Sequence, residues 1–370
     1  MGMIFVAGIG IAVFIEFLLL SKKNKSASDQ ILTVWMFLIL VHLFIFFLFF
    51  TNDVVDFPFL LGVEHPLPMF HGVFLFLYVS VLTKQLPENR KLLALHFLPI
   101  VLTYAYLATF FILPSDQKIQ IYRNHGAGYE WFVTIKNPAM SAYGLFYVIW
   151  SALLLRKHEV NIREQFSDLA KVDLHWLRIL TYGLGCIWLL VIFFRNDPLT
   201  FTGVVVFVFL IGFFGIRQGE IFTRGSLLPE NPEEKKKYPK SGLTEETSTN
   251  LHQALIQLMA ESGLYKKAEL SIDDLAAKLG VHPNYLSQVI NQRENKNFYD
   301  FVNTYRIEEF KRRIALPRNQ HLTLLSVAFD CGFNSKSSFN RSFKKATGQT
   351  PSEYFTSLTS SQTTSSQEAS

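Results

Sequence analysis

Residues 323–345, TLLSVAFDCGFNSKSSFNRSFKK, decide how the rest of the chain is read. Thr323 suits the cap of a helix whose apolar positions, Leu324, Val327, Ala328 and Cys331, share one face at the i, i+3, i+4, i+7 spacing. Gly332 ends that helix, and after Phe333-Asn334-Ser335 a second one turns Phe339 and Phe343 inward. The same arrangement stands 52 residues upstream, in SIDDLAAKLGVHPNYLSQVINQ (271–292). There Ser271 and Asp274 resemble a capping box, and Ile272, Leu275, Ala276 and Leu279 form the apolar face. Gly280 is the stop, Pro283 suits the next helix start, and Leu286, Val289 and Ile290 make its buried side. Two short helices joined by a tight glycine-containing turn, twice over, form a pair of helix-turn-helix units.

What faces outward sets the chemistry. On the first candidate recognition helix the outer stripe is Asn284, Ser287, Gln288 and Asn291. On the second it is Ser337, Asn340, Arg341 and Lys344, with Lys336 and Lys345 beside them. Arg reads guanine with two hydrogen bonds, and Asn and Gln read adenine. Lys and helix N-termini hold phosphates, which set register and affinity. A polar outer face on one helix is ordinary; two repeated units, the second strongly basic, point to double-stranded DNA.

The helix between them, about 298–316, changes face midway. Phe298, Phe301, Val302 and Tyr305 lie on one side, and Ile307, Phe310 and Ile314 lie about 150° away at 100° per residue. Such a helix bridges two lobes. Its length of ~28 Å is close to the ~34 Å of one duplex turn, so the two recognition helices can enter successive major grooves.

The run from Ala328 through Gly332, Phe333 and Asn334 to Thr350, Pro351 and Tyr354 resembles the C-terminal signature of AraC/XylS-type transcription regulators, over roughly residues 250–357. The resemblance implies a DNA-binding domain with two helix-turn-helix units, activation of transcription and RNA polymerase as a partner. By position, it puts base reading on Asn284, Ser287 and Gln288, and on Lys336, Ser337, Asn340 and Arg341. The chain departs from the pattern in two places. The first recognition helix has no basic residue between Pro283 and Gln292. The family's usual soluble sensor domain is replaced by apolar sequence, as in membrane-embedded members.

That apolar sequence accounts for the composition. Of 36 Phe, 27 fall before residue 217. Apolar runs at 3–20, 31–50, 66–83, 92–113, 138–155, 174–194 and 198–216 approach the ~20 residues that cross a bilayer, which excludes a purely soluble enzyme. The expected fold is all-α: a seven-helix transmembrane bundle followed by a cytoplasmic double helix-turn-helix domain. The loops after spans 1, 3 and 5 carry ten Lys and Arg against four in the alternate loops. This puts the N-terminus outside and the chain after Ile216 in the cytoplasm, at the bacterial inner membrane. The first run lacks a basic leader and is followed by Lys22, Lys23 and Lys25, as expected of an anchor.

Charge divides in the same way. The net +5 is +2 in residues 1–216, zero in 217–249, +4 in 250–357 and −1 in the tail, with eight basic residues and one acid in 311–345. The expected domains are a sensor or anchor at 1–216, a linker at 217–250, the DNA-binding domain at 251–357 and a disordered tail at 358–370.

Few polar residues interrupt the spans: Glu16, His42, His71 and His96, with Glu64 and His65 just outside the third. The group of Glu64, His65, His71 and His42 could hold a metal or proton, but intramembrane histidines more often bond a neighbouring helix, and no metal is assigned. Span 7 has no Lys for a retinal Schiff base, no span contains Asp and no HExxH occurs. No catalytic residue or cofactor is expected, and Cys186 and Cys331 read as small hydrophobes. The outer loop 114–137 is either a ligand contact or a cap on the bundle.

The sequence thus reads as a membrane-bound, sequence-specific DNA-binding transcription regulator that passes a membrane or extracytoplasmic signal to promoter DNA. The alternatives are a transporter or membrane enzyme with a DNA-binding appendage, and a factor released by proteolysis in the linker. Expected partners are double-stranded DNA, membrane lipid, RNA polymerase and a small-molecule or membrane signal; a homodimer is left open.

Overall fold

The computed structural model describes residues 2–217, apart from positions 88, 171 and 195, and residues 244–358, apart from 317, 318 and 320. Every named element among them is a helix; one antiparallel bridge, Phe166 to Ser271, is the sole extended pairing. The chain divides into two compact units. The first holds residues up to Lys157 and those from Leu174 to the end of the apolar region. The second holds the C-terminal helices together with His158–Asp173.

In the first unit the helices are α1 (Gly2–Ser21), α2 (Ala27–Thr51), α3 (Leu67–Leu82), α4 (Arg90–Leu95), α5 (Leu98–Phe111), α6 (Ser115–Arg123), α7 (Glu130–Gln165, its last turns in the second unit), α8 (His175–Phe193) and α9 (Asp197–Arg217). Five of them, α1, α2, α7, α8 and α9, are long and apolar enough to cross a membrane; counting α5 and α6 as one bent span makes six. The count of seven spans read from the sequence is not reproduced, for two local reasons. The third run folds as only 16 residues, ~24 Å long, bounded by Pro66 at its N-cap and Thr83 at its C-cap, which is short for a span. The fourth run breaks after Leu95, because Pro99 permits only a new helix start there.

Other boundaries move outward. Ser26 and Asp29 form a capping box that starts α2 four residues before the expected span, so an aspartate does lie within that helix, paired with Lys22 at 2.7 Å. The expected outer loop 114–137 is largely helical, as α6 and the first turns of α7, which reaches 36 residues with Pro138 inside it. Trp35, Met36, Leu75, Leu177 and Val208 are fully enclosed, while Phe14, Phe17, Phe37, Phe146 and Phe209 are half-exposed. Helices apolar on their outer as well as their inner faces are compatible with membrane insertion.

The second unit contains α10 (Glu245–Ser262), α11 (Ile272–Leu279), α12 (Pro283–Glu294), α13 (Phe298–Ile314), α14 (Leu324–Asp330) and α15 (Lys336–Thr347). Thr244 caps α10, so helix begins six residues before the expected domain boundary. Most of the expected linker and the expected tail lie outside the described residues.

Candidate nucleic-acid interface

Each helix-turn-helix unit is built by the local signals its sequence carries. Ser271 and Asp274 exchange the two hydrogen bonds of a capping box at 3.2 and 3.0 Å, and α11 ends at Gly280 in the left-handed region, φ 66°. His282 Nδ1 accepts the Asn284 amide at 3.2 Å to start α12 with Pro283 in its first turn. In the second unit Thr323 Oγ1 accepts the Ser326 amide at 3.1 Å, Gly332 takes φ 100°, and Ser335 Oγ accepts the Ser338 amide at 3.1 Å.

The bridging helix behaves as its two-faced pattern requires. Phe298, Phe301 and Val302 belong to a core with Leu255, Leu275, Leu286, Val289 and Ile290. Ile307, Phe310 and Ile314 belong to a second core with Val327, Ala328, Cys331, Phe339 and Phe343. Cys331 is fully enclosed there, and burial pushes its thiol up to about 12, so it serves as a small apolar side chain.

Glu309 of α13 accepts from Arg312 and Arg313 at 2.9 and 2.8 Å and pairs with Lys266 at 3.1 Å. Arg312, with Arg313 and Lys266, holds this carboxyl down to about 2.

Between the two cores lies Arg306, 1% exposed. Its guanidinium donates to the carbonyls of Tyr265 (2.7 Å), Lys267 (2.9 Å) and Ala268 (3.2 Å), to Asn303 Oδ1 (3.2 Å), and to the carbonyl and hydroxyl of Ser167 (3.0 and 2.9 Å). Burial pushes it down to about 10, still a cation at neutral pH.

The outward residues are placed unequally. On α15, Lys336, Ser337, Asn340, Arg341, Lys344 and Lys345 are all exposed. The Tyr299 hydroxyl bonds Ser338 and Ser342 on the flank of this helix at 3.0 and 3.2 Å, and Lys345 donates to Asp300 at 2.5 Å; both fix α15 to α13.

On α12 the expectation of an exposed polar stripe is corrected. Asn284 and Asn291 are half-buried, and Ser287 and Gln288 are only 3% and 5% exposed. The Glu164 carboxylate lies against this face, accepting from Ser287 Oγ at 2.9 Å and Asn291 Nδ2 at 3.1 Å. Sequence reasoning missed Glu164, Ser167, Asp168 and Arg306. The one signal for the first three was charge: residues 158–173 hold four acids against two basic residues, opposite in sign to the domain they touch.

Of the histidines singled out in the apolar unit, His96 stands apart with its Nδ1 2.7 Å from the Tyr147 hydroxyl, and the others form two groups. His42 Nδ1 lies 2.9 Å from His71 Nε2, and His71 Nδ1 accepts from Trp35 at 3.3 Å. His65 lies 3.4 Å from Glu64 and 3.3 Å from Lys136 Nζ. Among the described residues no group of three or more His, Cys, Asp and Glu is arranged to hold a metal. His42, Glu64, His65, His71 and Lys136 line one cavity of about 620 Å³ in the first unit, whose remaining wall is mostly apolar and aromatic but includes His125, Asn137, Asp197 and Thr200.

Residues 275–357 match the helix-turn-helix domain family, of AraC type. The relatives are regulators. An uncharacterized HTH-type transcriptional regulator of Staphylococcus aureus (strain COL) is 33% identical over 91 residues, 25% of this chain and 12% of that protein. The uncharacterized HTH-type transcriptional regulators YtdP and YobQ of Bacillus subtilis (strain 168) are 31% and 37% identical over 88 and 89 residues, each match covering 24% of this chain. The matched segment spans only 11% of YtdP and 36% of YobQ, so this chain covers a small part of the relatives it matches. A solved structure of a protein of unknown function from Listeria innocua is 25% identical, with 28% of this chain and 94% of that chain covered and a TM-score of 0.25.

Proposed function

We propose that the chain is a membrane-bound, sequence-specific DNA-binding transcription regulator, an activator that couples a signal received in its apolar unit to promoter binding by residues 244–357. The observation that carries the reading is α15, an exposed helix whose outer face is Lys336, Ser337, Asn340, Arg341, Lys344 and Lys345, on a domain with two caps-and-core helix-turn-helix units. Those side chains supply both base reading and phosphate contact.

The membrane part of the reading rests on five long apolar helices that turn phenylalanines outward. The cavity of the apolar unit suits a small amphipathic signal: Glu64, His65 and Lys136 meet a polar head, and the mostly apolar, aromatic remainder meets an apolar body. The excess of Lys and Arg after the first, third and fifth apolar runs supports a cytoplasmic DNA-binding domain, an orientation that goes with an odd number of spans.

The test has two parts. Full-length protein should remain in the membrane fraction after an alkaline carbonate wash; release into the supernatant overturns the membrane reading. Solubilised in detergent, it should select preferred sites from a pool of random duplexes, with affinity falling steeply as salt rises. Retention of the pool without sequence preference at low salt overturns the specific-regulator reading.

A further inference from the structure

The segment that ends α7 and leads into α8, residues 158–173, packs into the second unit against the first recognition helix. It is held by unlike contacts. The Ser167 amide and hydroxyl both donate to the Leu270 carbonyl, at 3.0 and 2.6 Å, next to the Phe166–Ser271 bridge. Arg306 clasps the Ser167 carbonyl and hydroxyl from the other side. Ile162 and Leu169 pack on Tyr299, over whose ring the Arg163 guanidinium sits at 5.6 Å.

Two carboxylates then reach the units' DNA-facing parts. Glu164 takes the hydrogen bonds of Ser287 and Asn291 on α12, and Asp168 accepts from Asn334 Nδ2 at 2.7 Å, in the turn just before α15. Net charge agrees: the segment is −2 and residues 250–357 are +4.

We propose that residues 158–173 are an intramolecular mimic of DNA that masks the first recognition helix, so the structure is the closed state of the regulator. The idea rests on the DNA-binding reading above and deepens it. A carboxylate oxygen accepting from Ser287 and Asn291 stands where a base edge or phosphate oxygen would accept from the same donors. The two occupants exclude each other, since one hydroxyl proton and one face cannot serve both. A shift in α7 or α8 pulls directly on the mask because the chain runs through it without a break. Signal and duplex thereby bias one two-state element.

The discriminating experiment compares full-length wild type with Glu164→Gln/Asp168→Asn and with Leu169→Asp, each in detergent, by fluorescence anisotropy on a duplex selected by the wild-type protein. Both variants should bind about tenfold more tightly, within the span of ordinary allosteric couplings. Leu169→Asp separates unmasking from simple charge, because it adds a negative charge yet should still tighten binding. Hydrogen exchange is the second readout: adding duplex to wild type should speed exchange of the Ser167 amide. Equal affinities with unchanged exchange, or weaker binding by Leu169→Asp, overturn the mask and leave DNA binding intact. If no form binds any duplex, the DNA-binding reading falls and takes the mask with it.

Discussion

The Arg306 guanidinium donates to the Ser167 hydroxyl at 2.9 Å across 139 residues of sequence. The same group satisfies the carbonyls of Tyr265, Lys267 and Ala268. Arg306→Met should therefore strand several buried acceptors at once and cost about 3 kcal/mol. Arg306→Lys should recover little, because an ammonium cannot reproduce the planar fork. Loss of protease resistance in the second unit on heating is the measurement; a wild-type midpoint for Arg306→Met would refute the account.

Two glycines at equivalent places in the repeat should differ in cost. At Gly332 (φ 100°) a Cβ would stand 2.6 and 2.9 Å from the Tyr265 and Lys266 carbonyls, so Gly332→Ala should lose 2 kcal/mol or more, as a rough figure. Gly280 (φ 66°) has open space around it, and Gly280→Ala should cost only the left-handed penalty of ~1 kcal/mol. Paired unfolding midpoints check the ranking.

Arg341 and Lys344 share the exposed face of α15 but should fail differently. Arg341→Ala should cost ~1–3 kcal/mol and relax specificity at one base position, whereas Lys344→Ala should weaken all duplexes alike and reduce the salt slope by about 1. Binding to a panel of single-base operator variants at several salt concentrations separates the two.

Glu309 is the acid-sensitive joint of the domain. Its carboxyl is lowered from 4.5 to about 2 by Arg312, Arg313 and Lys266, so its contribution is complete above pH 4.5 and disappears as pH falls towards 2. Glu309→Gln should lower stability at neutral pH and flatten the decline between pH 4.5 and 2. An acid-unfolding series on both proteins tests this; parallel curves would count against it.

The helix-turn-helix units were legible because their signals are local. Ser271, Thr323 and Ser335 cap within four residues, and the positions of Phe298 and Phe310 already assign the two halves of α13 to two cores. The apolar unit was legible in character and less so in count. Hydropathy sees composition, and prolines such as Pro99 divide a run whose composition is continuous. The outward stripe on α12 was read correctly as polar, but burial of Ser287 depends on Glu164, 123 residues distant.

From sequence alone came the two DNA-facing units, the bridging helix and the apolar unit, all set by periodicity, capping and hydrophobic length acting within a few turns. Only the tertiary structure decided that residues 158–173 belong with the DNA-binding domain and that the polar face of α12 is covered while that of α15 is exposed. The physical reason is that a hydrogen bond between Ser287 and Glu164, or Arg306 and Ser167, obeys no sequence period. It exists only where the folded chain brings donor and acceptor within about 3 Å.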